Sequence, residues 1–361
     1  MKMRKIVCSF MISVVCFMTA ISGVSATSYD TSKINAAYSK VVEYYKNNNN
    51  LNNADKILAV ESLGLEAESN QFDTSSADLS STSLSKKIVT EVLLGIDPTE
   101  DKETLESQID ENGNVEGSWG ASSDVWTLYA LYVTSSEKTN LIANKLNDEL
   151  AASSVCGYEW GGTYYADYDT TGWVIEGLAV VNKEKYATTI NKAIDYIKNN
   201  TTMTTTGWVT ADNVDTQSQV LEGMFAYDTN ALLNDSYTVH PVDCLLNTQL
   251  SDGSFPSGYN AEYTTAEVAK TLGTYKNGSV IIKAKKAYDK MMNPEQPDNT
   301  KPAQPTDTKK DSQSTNKVET TNQKTTSVKT GDETNVVIFV SLSMVSGGLF
   351  LVLRKEYERV H

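Results

Sequence analysis

The chain has 361 residues, with 46 Asp and Glu against 31 Lys and Arg, and a formal net charge of -15 at pH 7. That balance excludes nucleic acid as a default partner, because binding to it rests on cations that neutralise phosphates. No arginine occurs between residues 27 and 292, so the fork that recognises phosphate and diphosphate bidentately is missing from the body of the chain.

Residues 1–26 read as a secretory signal. Lys2, Arg4 and Lys5 form the positive end, Ile6 to Ala20 the apolar core, and Val24-Ser-Ala26 a small-residue cleavage site. The apolar run is shorter than the ~20 residues needed to span a bilayer.

Residues 27–292 carry a 3.6-residue apolar period nearly end to end, which predicts an all-α domain. Two sets of helices alternate. One has a Ser, Thr or Asp start and a body of apolar and small residues: 54–66, 80–95, 123–135, 169–183, 215–228 and 263–276. The other is decorated with Lys and Asn: 31–47, 101–109, 139–150, 185–200, 239–250 and 279–291. Gly177 and Gly223 permit close helix approach. Asp or Thr at the start of the first set acts as an N-cap, worth about 1 kcal/mol each.

Gly-aromatic turns separate the helices: Gly117-Ser-Trp119, Glu159-Trp160-Gly161, Gly207-Trp208 and Asp252-Gly-Ser-Phe255. The aromatics follow one another at 41, 48 and 47 residues and are expected to clip one repeat onto the next. Asp169-Thr170 with Glu176-Gly177-Leu178 matches Asp215-Thr216 with Glu222-Gly223-Met224 without a gap, at a shift of 46. This is an internal repeat. Helix pairs that cannot bury both faces alone stack on their neighbours. The expectation is therefore an α/α toroid of about six inner and six outer helices.

Residues 293–330, rich in Pro, Thr, Lys, Gln, Asn and Asp, lack the apolar surface to fold and read as a disordered linker. Residues 331–361 follow, with an apolar run at 336–353 and then Arg354 and Lys355. Thr330-Gly331, a polar spacer, that run and the basic stop resemble a Gram-positive sortase sorting signal. Ser327-Val328 stands where that signal usually has Leu-Pro. The resemblance implies cleavage between Thr330 and Gly331 and attachment of Thr330 to peptidoglycan. The alternative is a plain transmembrane anchor. Either places 27–292 on the extracellular face of the cell.

The Gln249…Asp252-Gly-Ser-Phe255 unit resembles the repeat of the prenyltransferase and squalene-oxidase superfamily. Gly95-Ile-Asp-Pro98, Gly117-Ser-Trp119-Gly120 and Ser123-Asp-Val-Trp126 are similar to bacterial surface proteins related to the toroid domain of vitamin B12 carriers. The resemblance covers roughly 54–292 and implies the fold, with a corrinoid as one ligand. Fold alone does not imply chemistry.

Prenyltransferases need zinc held by Asp, Cys and His. Val242-Asp243-Cys244 offers two of these, and His240 is the body's one histidine. Three converging ligands are required, so no metal is expected. Asp167-Tyr-Asp169-Thr-Thr171 partly resembles the acidic motif of triterpene cyclases, in which paired carboxylates hold a proton. Asp167 and Asp169 are thus the alternative catalytic residues of a lyase or cyclase, against a reading of Asp169 as a helix cap. Tyr164, Tyr165 and Tyr168 are candidate lyase groups or an aromatic rim. Cys156 and Cys244 form either a disulfide or two free thiols.

What remains is a non-catalytic binding funnel. Asp169 and Glu176 share a helix face, as do Asp215 and Glu222 one repeat on. Glu61 and Glu91 sit similarly. With Trp126, Trp160, Trp173, Trp208 and Tyr263 they predict an acidic, aromatic mouth suited to a glycan, a cation or a flat cofactor such as a corrinoid. A spacer or adhesin with a filled centre is the further alternative.

Overall fold

A computed structural model describes residues 29–68, 72–73, 78–160, 163–199, 213–237 and 239–294, without the side chains of Glu159 and Trp160. The signal segment, the Trp208 turn, Thr330-Gly331 and the 336–353 run lie outside the described residues. The chain divides into units Met1–Asp298 and Asn299–His361, and only the first contains described residues.

Eleven helices are present among the described residues: α1 Thr31–Asn47, α2 Ala54–Ser62, α3 Ser81–Leu93, α4 Thr99–Ser107, α5 Ala121–Val133, α6 Thr139–Ser153, α7 Tyr168–Asn199, α8 Val214–Asn234, α9 Pro241–Leu246, α10 Ala261–Asn277 and α11 Val280–Met292. The fold is all-α, as the periodicity predicts. In α2 and α10 the capping side chain is an asparagine rather than the expected Ser, Thr or Asp. Asn53 Oδ1 accepts from Lys56 N (3.0 Å), and Asn260 Oδ1 from Tyr263 N (3.1 Å). α7 and α8 each run through a break, at Asn182 and Asp228. These residues are 46 apart, so the repeat extends to the break. Each side chain caps the helical segment that follows: Asn182 takes Lys185 N at 2.9 Å and Asp228 takes Ala231 N at 2.9 Å.

α2, α3, α5, α7, α8 and α10 pack each on the next, and α10 packs back on α2. Small residues set the closest approaches. A Cβ at Gly223 would lie 2.3 Å from Gly172 O, and one at Gly172 would lie 2.4 Å from Gln219 O, so only glycine fits at this α7–α8 crossing. At Gly177 the nearest atoms are side chains, Leu128 Cδ2 at 3.1 Å and Val125 Cγ2 at 3.2 Å. The other helices lie against this cycle: α4 on α3 and α5, α6 on α5 and α7, α9 on α8 and α1, and α1 on α10.

Two expectations need correction. The members of the second set are not equivalent. α11, expected to complete it, packs at once on α2, α3, α5 and α10. It starts where α10 ends and reaches the end of α2, where Lys283 Nζ pairs with Glu61 at 2.6 Å. The turn aromatics are also not equivalent. Phe255 is fully buried, whereas Trp119 is 52% exposed. In the repeat leading into α7, the backbone of Cys156 takes the place of Phe255. Thr171 Oγ1 accepts from Cys156 N at 3.0 Å as Thr265 Oγ1 accepts from Phe255 N at 3.0 Å. The residues after Cys156 form a hairpin, β1 Gly157–Trp160 paired antiparallel with β2 Thr163–Ala166. Trp160 is in this hairpin rather than in a turn between helices.

The Asp252-Gly-Ser-Phe255 turn is a clamp. Asp252 accepts from Ser254 N (3.0 Å) and Oγ (2.7 Å). Gln249 Nε2 donates to Gly253 O and to Ala37 O of α1, both at 3.1 Å. Gly253 has φ +94°, and a Cβ there would meet Lys40 O at 2.3 Å. The turn needs a residue free of the left-handed penalty and thin enough for α1 to lie on it.

Candidate functional site

The N-terminal halves of the cyclic helices stack their polar residues in tiers. Asp55, Asp169, Asp215 and Tyr263 occupy first turns. About one turn deeper come Lys86, Trp126, Trp173, Gln219 and Glu267. Another turn in are Tyr129, Glu176, Glu222 and Lys270. The tiers follow from the i, i+4, i+7 rule for one helix face.

In the outer tier Asp169 and Tyr263 are half-buried and Asp215 is buried. Asp169 was expected to cap its helix. It does not: α7 begins at Tyr168, so the cap is Asp167. The Asp167 carboxylate accepts from the Thr170 hydroxyl and from the backbone N–H groups of Thr170 and Asp169. Burial still raises the Asp167 carboxyl above its ordinary range. Asp169 is pushed well up, by burial first and then by Asp167, Asp215 and Glu267. Asp215 is raised by burial and accepts from the hydroxyl of Tyr259. Tyr259 is 47% exposed, and its ring centre lies 6.3 Å from that of Tyr263.

In the middle tier Trp126 is buried and meets Trp173 edge-on, centroids 5.9 Å apart. Lys86 Nζ lies 4.5 Å from the Trp126 ring centre and 2.8 Å from Asp55. Gln219 Nε2 donates to Glu267 Oε2 at 3.1 Å and to Tyr263 OH at 3.3 Å.

The inner tier is sealed. Glu176, Glu222 and Lys270, with Glu267 of the middle tier, are at most 3% exposed. Lys270 Nζ lies 3.0 Å from Glu267 and 3.8 Å from Glu222. Glu176 accepts from Tyr129 OH at 3.0 Å and from Ser279 Oγ, the cap of α11, at 2.6 Å. Burial raises the Glu176 carboxyl, and it raises Glu222 well above its ordinary range, opposed by Lys270 and reinforced by Glu176 and Glu267. Burial works against the Lys270 charge, yet Glu267, Glu222 and Asp55 outweigh it and hold the ammonium protonated.

The structure thus brings together seven of the eight sequence-predicted ligand residues, Trp126, Asp169, Trp173, Glu176, Asp215, Glu222 and Tyr263, but at different depths. Asp169, Trp173 and Tyr263 keep some exposure, while the other four are buried. The side chain of Trp160 is not described. Glu61 pairs with Lys283, and Glu91 lies 3.7 Å from Lys87, both away from the tiers. Sequence reasoning missed Lys86, Tyr129, Gln219, Tyr259, Glu267 and Lys270. The spacing of Tyr263, Glu267, Lys270 and Thr274, all on one face of α10, is the signal that was available.

The supposed zinc residues are otherwise engaged. Asp243 accepts from Tyr29 OH (2.7 Å) and Lys33 Nζ (2.9 Å), and His240 Nδ1 from Val242 N (3.2 Å). Among the described residues no group of three or more His, Cys, Asp or Glu is placed to hold a metal. Cys156 and Cys244 are free thiols, and burial raises Cys244 to about 11. In the hairpin, Tyr158 and Tyr165 stack at 5.5 Å, and Tyr164 OH donates to Val155 O at 3.0 Å. No helix among the described residues is long and apolar enough to cross a membrane.

No protein-family model matches this chain, and no curated protein or solved structure does either.

Proposed function

We propose that this protein is an α/α toroid held on the outer face of a Gram-positive cell, and that it binds a small molecule without transforming it. The site is the N-terminal end of the cyclic helices. Export and anchoring rest on residues 1–26 and on Thr330-Gly331 with the 336–353 run, in the reading of the sequence given above. The toroid rests on the packing of α10 back onto α2.

One observation carries the binding reading. A partly exposed layer of Asp169, Trp173, Tyr259 and Tyr263 lies at the outer end of a buried centre in which Lys270 pairs with Glu267. Such a layer offers apolar faces and a few directed polar groups, the usual make-up of a small-molecule site. A glycan and a corrinoid are the ligands to try first. Titration of the purified full chain should give a saturable heat and a change in tryptophan fluorescence with unaltered ligand recovered. Recovery of a cleaved or cyclised product would overturn the reading.

A second reading has its own support. The Asp169 carboxyl is raised well above its ordinary range, by burial first and then by its acidic neighbours, and has the character of a general acid. On that reading the protein is an extracellular lyase or cyclase. Asp169→Asn would then abolish turnover while leaving the circular dichroism helical.

A further inference from the structure

Besides Glu267 Oε1, two polar atoms in the middle tier are closed off from solvent and have no hydrogen-bond partner: Trp173 Nε1 and Gln219 Oε1. They belong to equivalent positions of successive repeats, since 173 and 219 differ by the same 46 residues that align α7 with α8. One is a donor lacking an acceptor. The other is an acceptor lacking a donor. Gln219 is fully buried, and its amide N–H groups go to Glu267 and Tyr263, which fixes which way its oxygen points. Thr264 Oγ1, also fully buried and unpartnered, stands beside Tyr263. Buried polar groups are rarely left unmet, because each keeps its full desolvation penalty.

The class of group that satisfies this pair is restricted. An ammonium only donates and would leave the Trp173 N–H unmet. A carboxylate or phosphate only accepts and would leave Gln219 unmet. A hydroxyl does both. The surroundings add flat faces, with Trp173 half-buried and Tyr259 half-exposed, and carboxyl groups at Asp169 and Asp215 that accept further hydroxyl protons. The acidity of the whole chain disfavours an anionic partner.

Resting on the reading that this end of the helices binds a small molecule, we infer that the ligand is a sugar ring, neutral or amino-substituted. Its hydroxyl groups accept from Trp173 Nε1 and donate to Gln219 Oε1, with an aromatic face against the ring. Tyr263 and Gln219 are the residues that connect the ligand to the buried Glu267–Lys270 pair.

The test is calorimetric titration of the full chain with galactose, N-acetylglucosamine, glucosamine, galacturonate and cyanocobalamin, with tryptophan fluorescence in parallel. Neutral or amino sugars should saturate the protein, and galacturonate should bind at least about tenfold more weakly. Trp173→Phe keeps the ring and removes the N–H. Gln219→Met keeps the shape and removes the oxygen. Each should weaken sugar binding by about tenfold or more with cooperative thermal unfolding retained, the scale of one buried hydrogen bond. If Gln219→Met does not fold, Trp173→Phe decides alone. Unchanged sugar affinity in the folded variants would overturn the inference. Binding of cyanocobalamin alone would overturn the sugar and leave the binding reading intact. Saturation by none of the five would remove both.

Discussion

Glu176 and Glu222 occupy the same position one repeat apart, yet their surroundings have little in common. Glu176 faces α5 and the start of α11, where Tyr129 and Ser279 supply two hydroxyl donors. Glu222 faces α10, where it gets Thr274 at 3.3 Å and a lysine at 3.8 Å, and one oxygen is left without a hydrogen bond. The carboxyl with fewer donors is the one driven further from its ordinary range. Repetition copied the backbone of α7 into α8, including the break at Asn182 and Asp228. It did not copy the neighbours, and the neighbours set the charge state.

The largest effect that would break this comparison is at Lys270, which pairs with Glu267 and Glu222 and acts on Glu176 only through its charge, with no ion pair to it. Lys270→Met strands the Glu267 carboxylate in a dry centre. It should cost about 3–5 kcal/mol of unfolding free energy, as for removal of one partner of a buried pair. Urea unfolding showing a loss below about 1 kcal/mol would mean that protons, not the lysine, neutralise the centre.

The glycines separate the sectors next. Gly223→Ala drives a methyl group into the backbone of Gly172 and should cost about 1–3 kcal/mol through forced helix separation. Gly177→Ala meets side-chain atoms, Leu128 Cδ2, Val125 Cγ2 and Tyr129 Cε1, rather than backbone, and should cost less. Equal losses would show that the α5–α7 contact is as rigid as the α7–α8 contact.

Acid–base behaviour gives a third test. Burial, then the nearby Asp101, raises Glu91 from 4.5 to about 8, and Glu222 moves in the same direction. A carboxyl whose folded pKa lies above its unfolded value contributes stability that is complete below the unfolded pKa and is lost as pH rises through the folded one. Unfolding free energy should therefore fall between pH 4.5 and about 8. Glu91→Gln and Glu222→Gln should each flatten that fall, and Glu176→Gln should flatten it less than Glu222→Gln. A profile identical in all three variants would reject the assignment.

The smallest effect concerns what the sectors share. Asn182→Ala and Asp228→Ala each remove a cap at the break and should cost similar amounts, about 1 kcal/mol. Thermal melts that differ strongly between them would show that the two breaks are held by different forces.

Most of the helices were legible in the sequence. α2, α3, α5, α10 and the first halves of α7 and α8 begin within two residues of the positions that periodicity gives, because one buried face forces a 3.6-residue repeat on the chain. α9 came out shorter than 239–250. Pro241 opens it, and the Gln249–Asp252 turn that holds α1 needs its last residues. The hairpin was not legible, since Gly157 to Ala166 carries the same glycines and aromatics as a turn. Just before it, Thr171 grips Cys156 rather than an aromatic residue.

The site divides in the same way. Local spacing was enough to put Asp169 with Glu176, and Asp215 with Glu222, on common faces, since that follows from helix geometry alone. Which of them reach solvent was decided by packing: α11 crosses the end of α2 and presents Ser279 to Glu176, and α10 brings Lys270 between Glu222 and Glu267. The turn at Leu245–Phe255 shows the same limit from the other side. Its glycine, aspartate and glutamine were conspicuous as a repeat unit, but their task of gripping Ala37 and Lys40 joins residues more than 200 positions apart. A sequence fixes the period of its helices through short-range sterics and hydrogen bonding. Burial, and with it the partners of every group in the centre, belongs to contacts that exist only once α10 has packed on α2.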